Sequence, residues 1–453
     1  MLFQSPEFLL VFLPVVVVCF YALRNHQAPR EWLLIVASGV FYAWWDARFL
    51  PVMMGQAIGT WLIARTWPAS RAALIWAVAL NLLVLSFFKY TNFLVANMEA
   101  LLGTSLPRND IILPIGISFY TFALLSYVID RKRGEAPLYG VRRFLLFVLY
   151  FPHLIAGPIV RHWELIPQLD LHPCRDGMWE RLSRGALLLS FGLVKKVALA
   201  DPLAVIADPI FSASATAYPT FSDAWTGAVA FTLQLYFDFS AYSDMAIGMA
   251  LMMGIRFPDN FNSPYKSVNI QEFWRRWHMS LSRLFRDYVY IPLGGSRSGA
   301  VRYVMATLLT FGLCGLWHGA GWTFILWGLL HGVGLVVHRF YARYGFALPS
   351  LAGWAITMTF VIFGWVLFRA TDFTMAANIM TAMVFFEPIV IPAAWPLLMT
   401  GVVVVLLLPR AVDVALESAG PSFGLSIAGA AAFCLTILII SSGKPASFIY
   451  FQF

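Results

Sequence analysis

Apolar residues dominate the chain in long runs separated by short polar gaps. The runs cover residues 8–23, 32–50, 72–88, 111–129, 144–160, 185–200 and 224–254, and, after a longer polar gap, 303–337, 353–368, 375–386, 396–408 and 425–440. A helix needs about 20 apolar residues to cross the roughly 30 Å hydrocarbon core of a bilayer. Several runs are too short to span squarely, and 224–254 is long for one helix. The pattern therefore predicts an all-α polytopic membrane protein with roughly ten to twelve spanning helices, accompanied by re-entrant and interfacial ones. No internal repeat, low-complexity tract or linker divides the chain, so residues 1–453 read as a single membrane-embedded domain.

Composition changes this picture only by strengthening it. Hydrophobic residues make up 60% of the chain and charged residues 12%, about half the charge of a typical soluble domain. So little charge does not cover a water-facing surface; lipid is the solvent that fits. The net charge of +8 sits in short loops between apolar runs, which is the mark of membrane topology and anionic lipid surfaces. A nucleic-acid site needs a clustered basic footprint instead. Cys19, Cys174, Cys314 and Cys434 are far apart and form no CxxC pair, so they read as small hydrophobes, with no zinc or disulfide framework. The first run follows a segment without Lys or Arg and reads as a retained helix, not a cleaved signal.

The basic loops set the orientation. Arg24 and Arg30 follow the first run, Arg65 and Arg71 come two crossings later if residues 51–64 complete a span, and Arg131, Lys132, Arg133, Arg142 and Arg143 two crossings further on. Alternating spans bring these loops to one side. Positive loops stay cytoplasmic, which predicts a periplasmic N-terminus. The longest hydrophilic stretch, 255–302, carries eight basic residues against Asp259, Glu272 and Asp287, a net +5, and belongs on the cytoplasmic side. Within it Trp274, Trp277, Leu281, Phe285 and Tyr288 recur at spacings of three or four, with Arg275, Arg276, Arg283 and Arg286 elsewhere round the helix. This predicts an amphipathic helix at the membrane surface.

Candidate chemistry centres on histidine. No Walker A loop, dinucleotide fingerprint, HExxH or GxSxG is present. His318 lies in Gly315-Leu316-Trp317-His318-Gly319-Ala320-Gly321-Trp322, inside the apolar run 303–337. A helix from Tyr303 to Trp317 reaches only about 22 Å, which predicts a glycine-rich break within the membrane with His318 near its apex. Irregular backbone at that depth survives only inside protein or beside a water-filled cavity, and an ionisable group there is a functional candidate. The bland alternative is a neutral histidine satisfying a broken helix end. His278, on the amphipathic helix, is a second candidate, with a polar residue on an interfacial flank as its alternative. His331 reads better as a hydrogen-bonding core residue. Asp201, Asp238 and Asp244 serve as proton relays or, at least as readily, as caps and partners of Lys195, Lys196 or a histidine.

One stretch carries a resemblance. Gln271-Glu272-Phe273-Trp274-Arg275-Arg276-Trp277-His278-Met279-Ser280-Leu281-Ser282, continued by Phe285-Arg286-Asp287-Tyr288-Val289-Tyr290-Ile291-Pro292-Leu293-Gly294-Gly295, resembles the signature of the membrane-bound O-acyltransferases. The branch it looks most like is that of the bacterial alginate O-acetyltransferase membrane subunit. Trp317-His318-Gly319, Phe41-Tyr42-Ala43-Trp44-Trp45, Leu113-Pro114-Ile115-Gly116 and the C-terminal Phe448-Ile449-Tyr450-Phe451 are similar too, so the likeness covers nearly the whole chain. Leu284, where relatives often carry Trp, and Gly321, where Ser or Asn is common, depart from the pattern without removing an ionisable group.

The resemblance implies a bacterial inner-membrane enzyme that moves an acetyl group from cytoplasmic acetyl-CoA toward an acceptor outside. It also implies a periplasmic partner resembling a serine hydrolase, which delivers the group to a polysaccharide. No bound cofactor or metal is implied, because a thioester is already activated. His318 would be the base, with His278 assisting, and Trp274, Arg275, Arg276, Trp277, Arg286 and Trp317 would bind substrate. The step needs a base for the attacking hydroxyl and stabilisation of the oxyanion, and histidine near neutral pH suits the first task. A transporter or polysaccharide-export channel is the rival class, and a lipid O-acyltransferase of the same superfamily a third.

Overall fold

The computed structural model describes residues 1–67, 70–108, 110–297, 299–345, 348–417, 423–442 and 448–449. Among the described residues regular structure is entirely helical. Six helical segments are long and apolar enough to cross a membrane: Gln27–Thr66, Arg71–Leu102, Ala300–His318, Trp322–Arg343, Ser350–Arg369 and Gly424–Ser441. Three more apolar helices, Phe8–Ala22, Phe373–Val384 and Trp395–Leu407, are shorter. This is a multi-pass membrane protein. Its contacts divide it into two compact units.

The first unit comprises Met1–Leu193, Tyr242–Asp259 and Ala411–Ser447. Its helices are α1 (Leu13–Ala22), α2 (Gln27–Asp46), α3 (Leu50–Thr66), α4 (Arg71–Leu102), α5 (Ile117–Arg133), α6 (Val141–Leu149) and α7 (Met178–Val194). Lipid gives helices no hydrophobic reason to associate, so small and polar contacts hold them. Here Gln56 of α3 donates to Asn81 of α4 (2.9 Å) and to Thr121 of α5 (3.1 Å), while Asn81 donates back to Thr60 (2.8 Å). Run 144–160 differs from expectation: it is no single span. α6 stops at Leu149, a four-residue turn follows at Phe151–Leu154, and the chain then runs irregular and buried to Arg161. Pro152, Gly157 and Pro158 are the breakers. Buried Glu31, near the start of α2, pairs with Arg142 (2.5 Å) and Arg143 (3.6 Å) at the start of α6. The starts of these two helices thus lie side by side.

The second unit comprises Val194–Ala241, Asn260–Arg410 and Phe448–Phe453. It contains α8 (Asp201–Ala213) and the first part of α9 (Phe221–Met252), then α10 (Ile270–Arg276), α11 (Met279–Phe285), α12 (Ala300–His318), α13 (Trp322–Arg343), α14 (Ser350–Arg369), α15 (Phe373–Val384) and α16 (Trp395–Leu407). Run 224–254 is one helix after all, 32 residues long, or about 48 Å at 1.5 Å per residue. Lys196 is buried between Asp201 (2.8 Å) and Asp238 (2.9 Å), and Asp238 also accepts the Ile449 amide (2.8 Å). The pairing reading of these two aspartates is the one observed.

Run 303–337 breaks at the expected glycines: α12 ends at His318, extended Gly319 and Gly321 lead into α13, and the two helices pair as a hairpin. α12 begins three residues before the apolar run, so its 19 residues reach about 28 Å, with Arg302 in the added first turn. The two helices touch backbone to backbone. A Cβ on Gly315 would lie 2.2 Å from the Phe324 carbonyl oxygen, and one on Gly328 2.1 Å from that of Phe311. Small residues at such contacts are what membrane helix pairs use to approach closely.

Candidate functional site

The predicted amphipathic helix over 274–288 is not continuous. It breaks at His278, whose φ of 41° and ψ of 56° are left-handed, a conformation costing about 1–3 kcal/mol for a non-glycine residue. The surrounding chain holds it there. Asn260 and Asn262 make backbone bonds across the corner, to Met279 and Arg276, each 2.9 Å. The Asn260 side-chain oxygen sits 2.9 Å from His278 Nδ1 and 2.8 Å from Ser280 Oγ. Of the apolar face, Trp274, Trp277, Leu281 and Phe285 are buried, while Tyr288 is only half-buried. His278 is buried completely, and burial pushes its imidazole down to about 3, so it is neutral.

Tryptophans separate the three central histidines. Trp317 lies 6.3 Å from His278 and 4.8 Å from His318 between ring centres. Trp327 lies 5.1 Å from His318 and 5.0 Å from His331. Phe368 completes the box round His318 at 5.2 Å. His331 has the core role expected of it: its Nδ1 accepts the Trp274 indole N–H (3.3 Å), and its ring lies against Gly364, where a Cβ would stand 2.9 Å from Nε2.

A cavity of about 430 Å³ opens beside α12. Tyr303, Thr307, Thr310, Phe311 and Cys314 form one wall, recurring at spacings of three and four along one helix face. The next position on that face is His318. Arg275, Arg283, Arg286 and Arg339 line the same cavity with Trp274, Tyr290 and Ser296. Of the residues expected to bind substrate, Trp274, Arg275 and Arg286 are therefore brought together. Arg276 is engaged elsewhere, with Glu272 (2.7 Å) and the Asn262 carbonyl (3.3 Å). Trp277 and Trp317 belong to the aromatic packing and, like His278 and His318, are not among the lining residues. Sequence reasoning passed over Arg339, whose guanidinium stacks 3.8 Å over Tyr303 and donates to the Ser296 carbonyl (3.1 Å). The hairpin signal contained it: Tyr303 and Arg339 lie nearly equidistant from the turn at Gly319–Gly321.

A buried histidine thus stands at the tip of a helical hairpin, one turn beyond a cavity lined in part by arginines. Comparison with known proteins specifies the class. Residues 108–380 match the membrane-bound O-acyltransferase (MBOAT) family. The probable alginate O-acetylase AlgI of Pseudomonas aeruginosa is 44% identical over 398 residues, 84% of this chain and 75% of its own length. The peptidoglycan O-acetyltransferase of Helicobacter pylori is 38% identical over 423 residues, 85% of this chain and 80% of its own. The teichoic acid D-alanyltransferase of Streptococcus thermophilus is 31% identical over 242 residues, 51% and 57% respectively. The chain belongs to the membrane-bound O-acyltransferase family.

Proposed function

We propose that this O-acyltransferase takes an acetyl group from acetyl-CoA at the cytoplasmic face and passes it toward a periplasmic acyltransferase partner, for O-acetylation of a polysaccharide. The observation that carries the reading is the cavity whose arginine-lined part adjoins a helix face leading to His318. Arg275, Arg283, Arg286 and Arg339 offer charge-assisted bonds to the phosphates of coenzyme A, and the apolar wall of α12 suits its pantetheine arm. In the transfer step an acceptor hydroxyl oxygen bonds to the acetyl carbon and the thioester C–S bond breaks. The hydroxyl proton goes to His318, and from it to the departing thiolate. The relatives named above support a hydroxyl-bearing polymer as final acceptor, and the small share of chain outside the helices supports a separate partner to grip it.

Two experiments test this reading. Protein reconstituted with acetyl-CoA and a periplasmic acyltransferase is expected to release CoA and acetylate glycan, whereas without the partner the glycan stays unmodified. Glycan acetylation by this chain alone would remove the partner from the scheme, and solute flux without CoA release would favour the transporter. For topology, a cysteine at Ser296 in an otherwise cysteine-free chain is expected to resist impermeant thiol reagents in intact cells. Labelling there would reverse the orientation.

A further inference from the structure

His278 has two parts open to it in acyl transfer, and they need opposite tautomers. To stabilise the oxyanion of the thioester it must donate an N–H; to accept a proton or hydrogen bond it must offer a lone pair. The hydrogen bonds around Asn260 decide between them. The Ser280 backbone amide, which can only donate, points at the Asn260 side-chain atom at 3.4 Å, and the Ser280 hydroxyl reaches the same atom at 2.8 Å. That atom is therefore the amide oxygen. An oxygen 2.9 Å from His278 Nδ1 requires the proton to sit on Nδ1. A neutral imidazole carries one proton, so Nε2 is left with its lone pair. Nε2 is buried and makes no hydrogen bond among the described residues, and the ring centres of Phe239 and Trp317 lie 4.6 Å and 6.3 Å from that of the imidazole.

We propose that Asn260 is a positioning residue of the acyl-transfer site: it holds His278 in the Nδ1–H tautomer, so that Nε2 serves as a hydrogen-bond or proton acceptor and never as an oxyanion donor. The left-handed corner serves the same end, since the backbone bonds of Asn260 and Asn262 hold the imidazole against the asparagine side chain. The inference rests on the acetyl-transfer reading for its functional half, while the tautomer stands without it.

The test uses full-length protein in detergent or nanodiscs. Nitrogen-15 spectra of histidine-labelled protein, with His278 assigned by difference from His278→Gln, are expected to show Nδ1 protonated and Nε2 bare. Asn260→Leu, which keeps the shape and removes the acceptor, is expected to lose that signature and to lower kcat about 10–100-fold, the range found when the orienting partner of a metal-bound imidazole is removed, with KM for acetyl-CoA unchanged. Asn260→Asp still accepts from Nδ1 and is expected to keep both the signature and most of kcat. A protonated Nε2 in the wild type overturns the proposal even if Asn260→Leu fails to fold, and so does an Asn260→Leu protein with normal kcat. If wild-type protein releases no CoA, the acetyl-transfer reading falls while the spectrum still decides the tautomer.

Discussion

His318→Ala protein is expected to turn over acetyl-CoA about 10²–10⁴-fold more slowly than wild type, the usual worth of a positioned general base, and to remain folded in the membrane. The reason for expecting a catalytic and not a structural loss is the way the hairpin is held. Its closest contacts are Gly315 against Phe324 and Gly328 against Phe311, with the amide of Gly319 closing the end of α12 onto Gly315 at 3.3 Å. The imidazole of His318 packs on the rings of Trp317, Trp327 and Phe368, away from these backbone contacts. His331→Ala supplies the contrast. Its loss leaves the buried Trp274 indole N–H without the acceptor it has now, a defect worth about 1–3 kcal/mol of stability, while its ring is separated from His318 by Trp327. The expected pattern is therefore inactive and stable for His318→Ala, active and less stable for His331→Ala. CoA release and thermal unfolding, each measured at matched membrane levels, separate the two. Near-normal turnover by a well-folded His318→Ala protein would refute the base assignment, whatever His331→Ala does.

The two histidines differ in how far the chain's own pattern announces them. The break after His318 is legible because Gly319 and Gly321 interrupt an apolar run, and the fold breaks there; the expectation of a helix too short for the membrane fails, because α12 starts at Ala300 and its 19 residues are long enough to cross. The corner at His278 is invisible to periodicity: Trp274, Trp277, Leu281 and Phe285 keep a helical spacing across it, no Gly or Pro marks it, and what holds it is Asn260, 18 positions away. Local signals report the faces that residues share; a strained residue held from a distance leaves no local trace. The same distinction explains the arginines. Arg275 and Arg286 sit on the segment that attracted notice, whereas Arg339 joins them only because the α12–α13 hairpin returns the chain to its starting level. Conversely, α4 runs on to Leu102, well past its apolar run at Phe88, because residues 89–102 contain no Gly or Pro to stop a helix and are rich in good helix formers. The irregular path after α6 was within reach of the sequence, since Pro152, Gly157 and Pro158 all lie in the run that was read as a span.

Gly328→Val is expected to be the most damaging single change in the second unit outside its reactive groups. The site of a Cβ at Gly328 lies 2.1 Å from a backbone oxygen and 3.1 Å from the Gly315 nitrogen, and no rotamer change moves either atom. The two helices must separate along their length. Inside lipid their association rests on close packing and weak backbone contacts, not on hydrophobic burial, and a radial gap of even 0.5–1 Å forfeits about a quarter to a half of each contact's dispersion energy. A loss at the upper end of the 1–3 kcal/mol typical of overpacking, or beyond it, is the expected result, read as a lowered thermal midpoint in detergent. Activity should fall with it, because Gly315 stands one turn before His318 and any parting of α12 from α13 shifts the imidazole against Trp327 on the facing helix. Gly55→Ala is the matched control: it is also a helical glycine in the membrane region, but a Cβ there meets nothing within 4 Å, and the change removes only backbone freedom, so stability should stay level or rise slightly. A Gly328→Val protein that melts with the wild type would mean that the hairpin is not held by this contact, and the rigid placement of His318 would need another source.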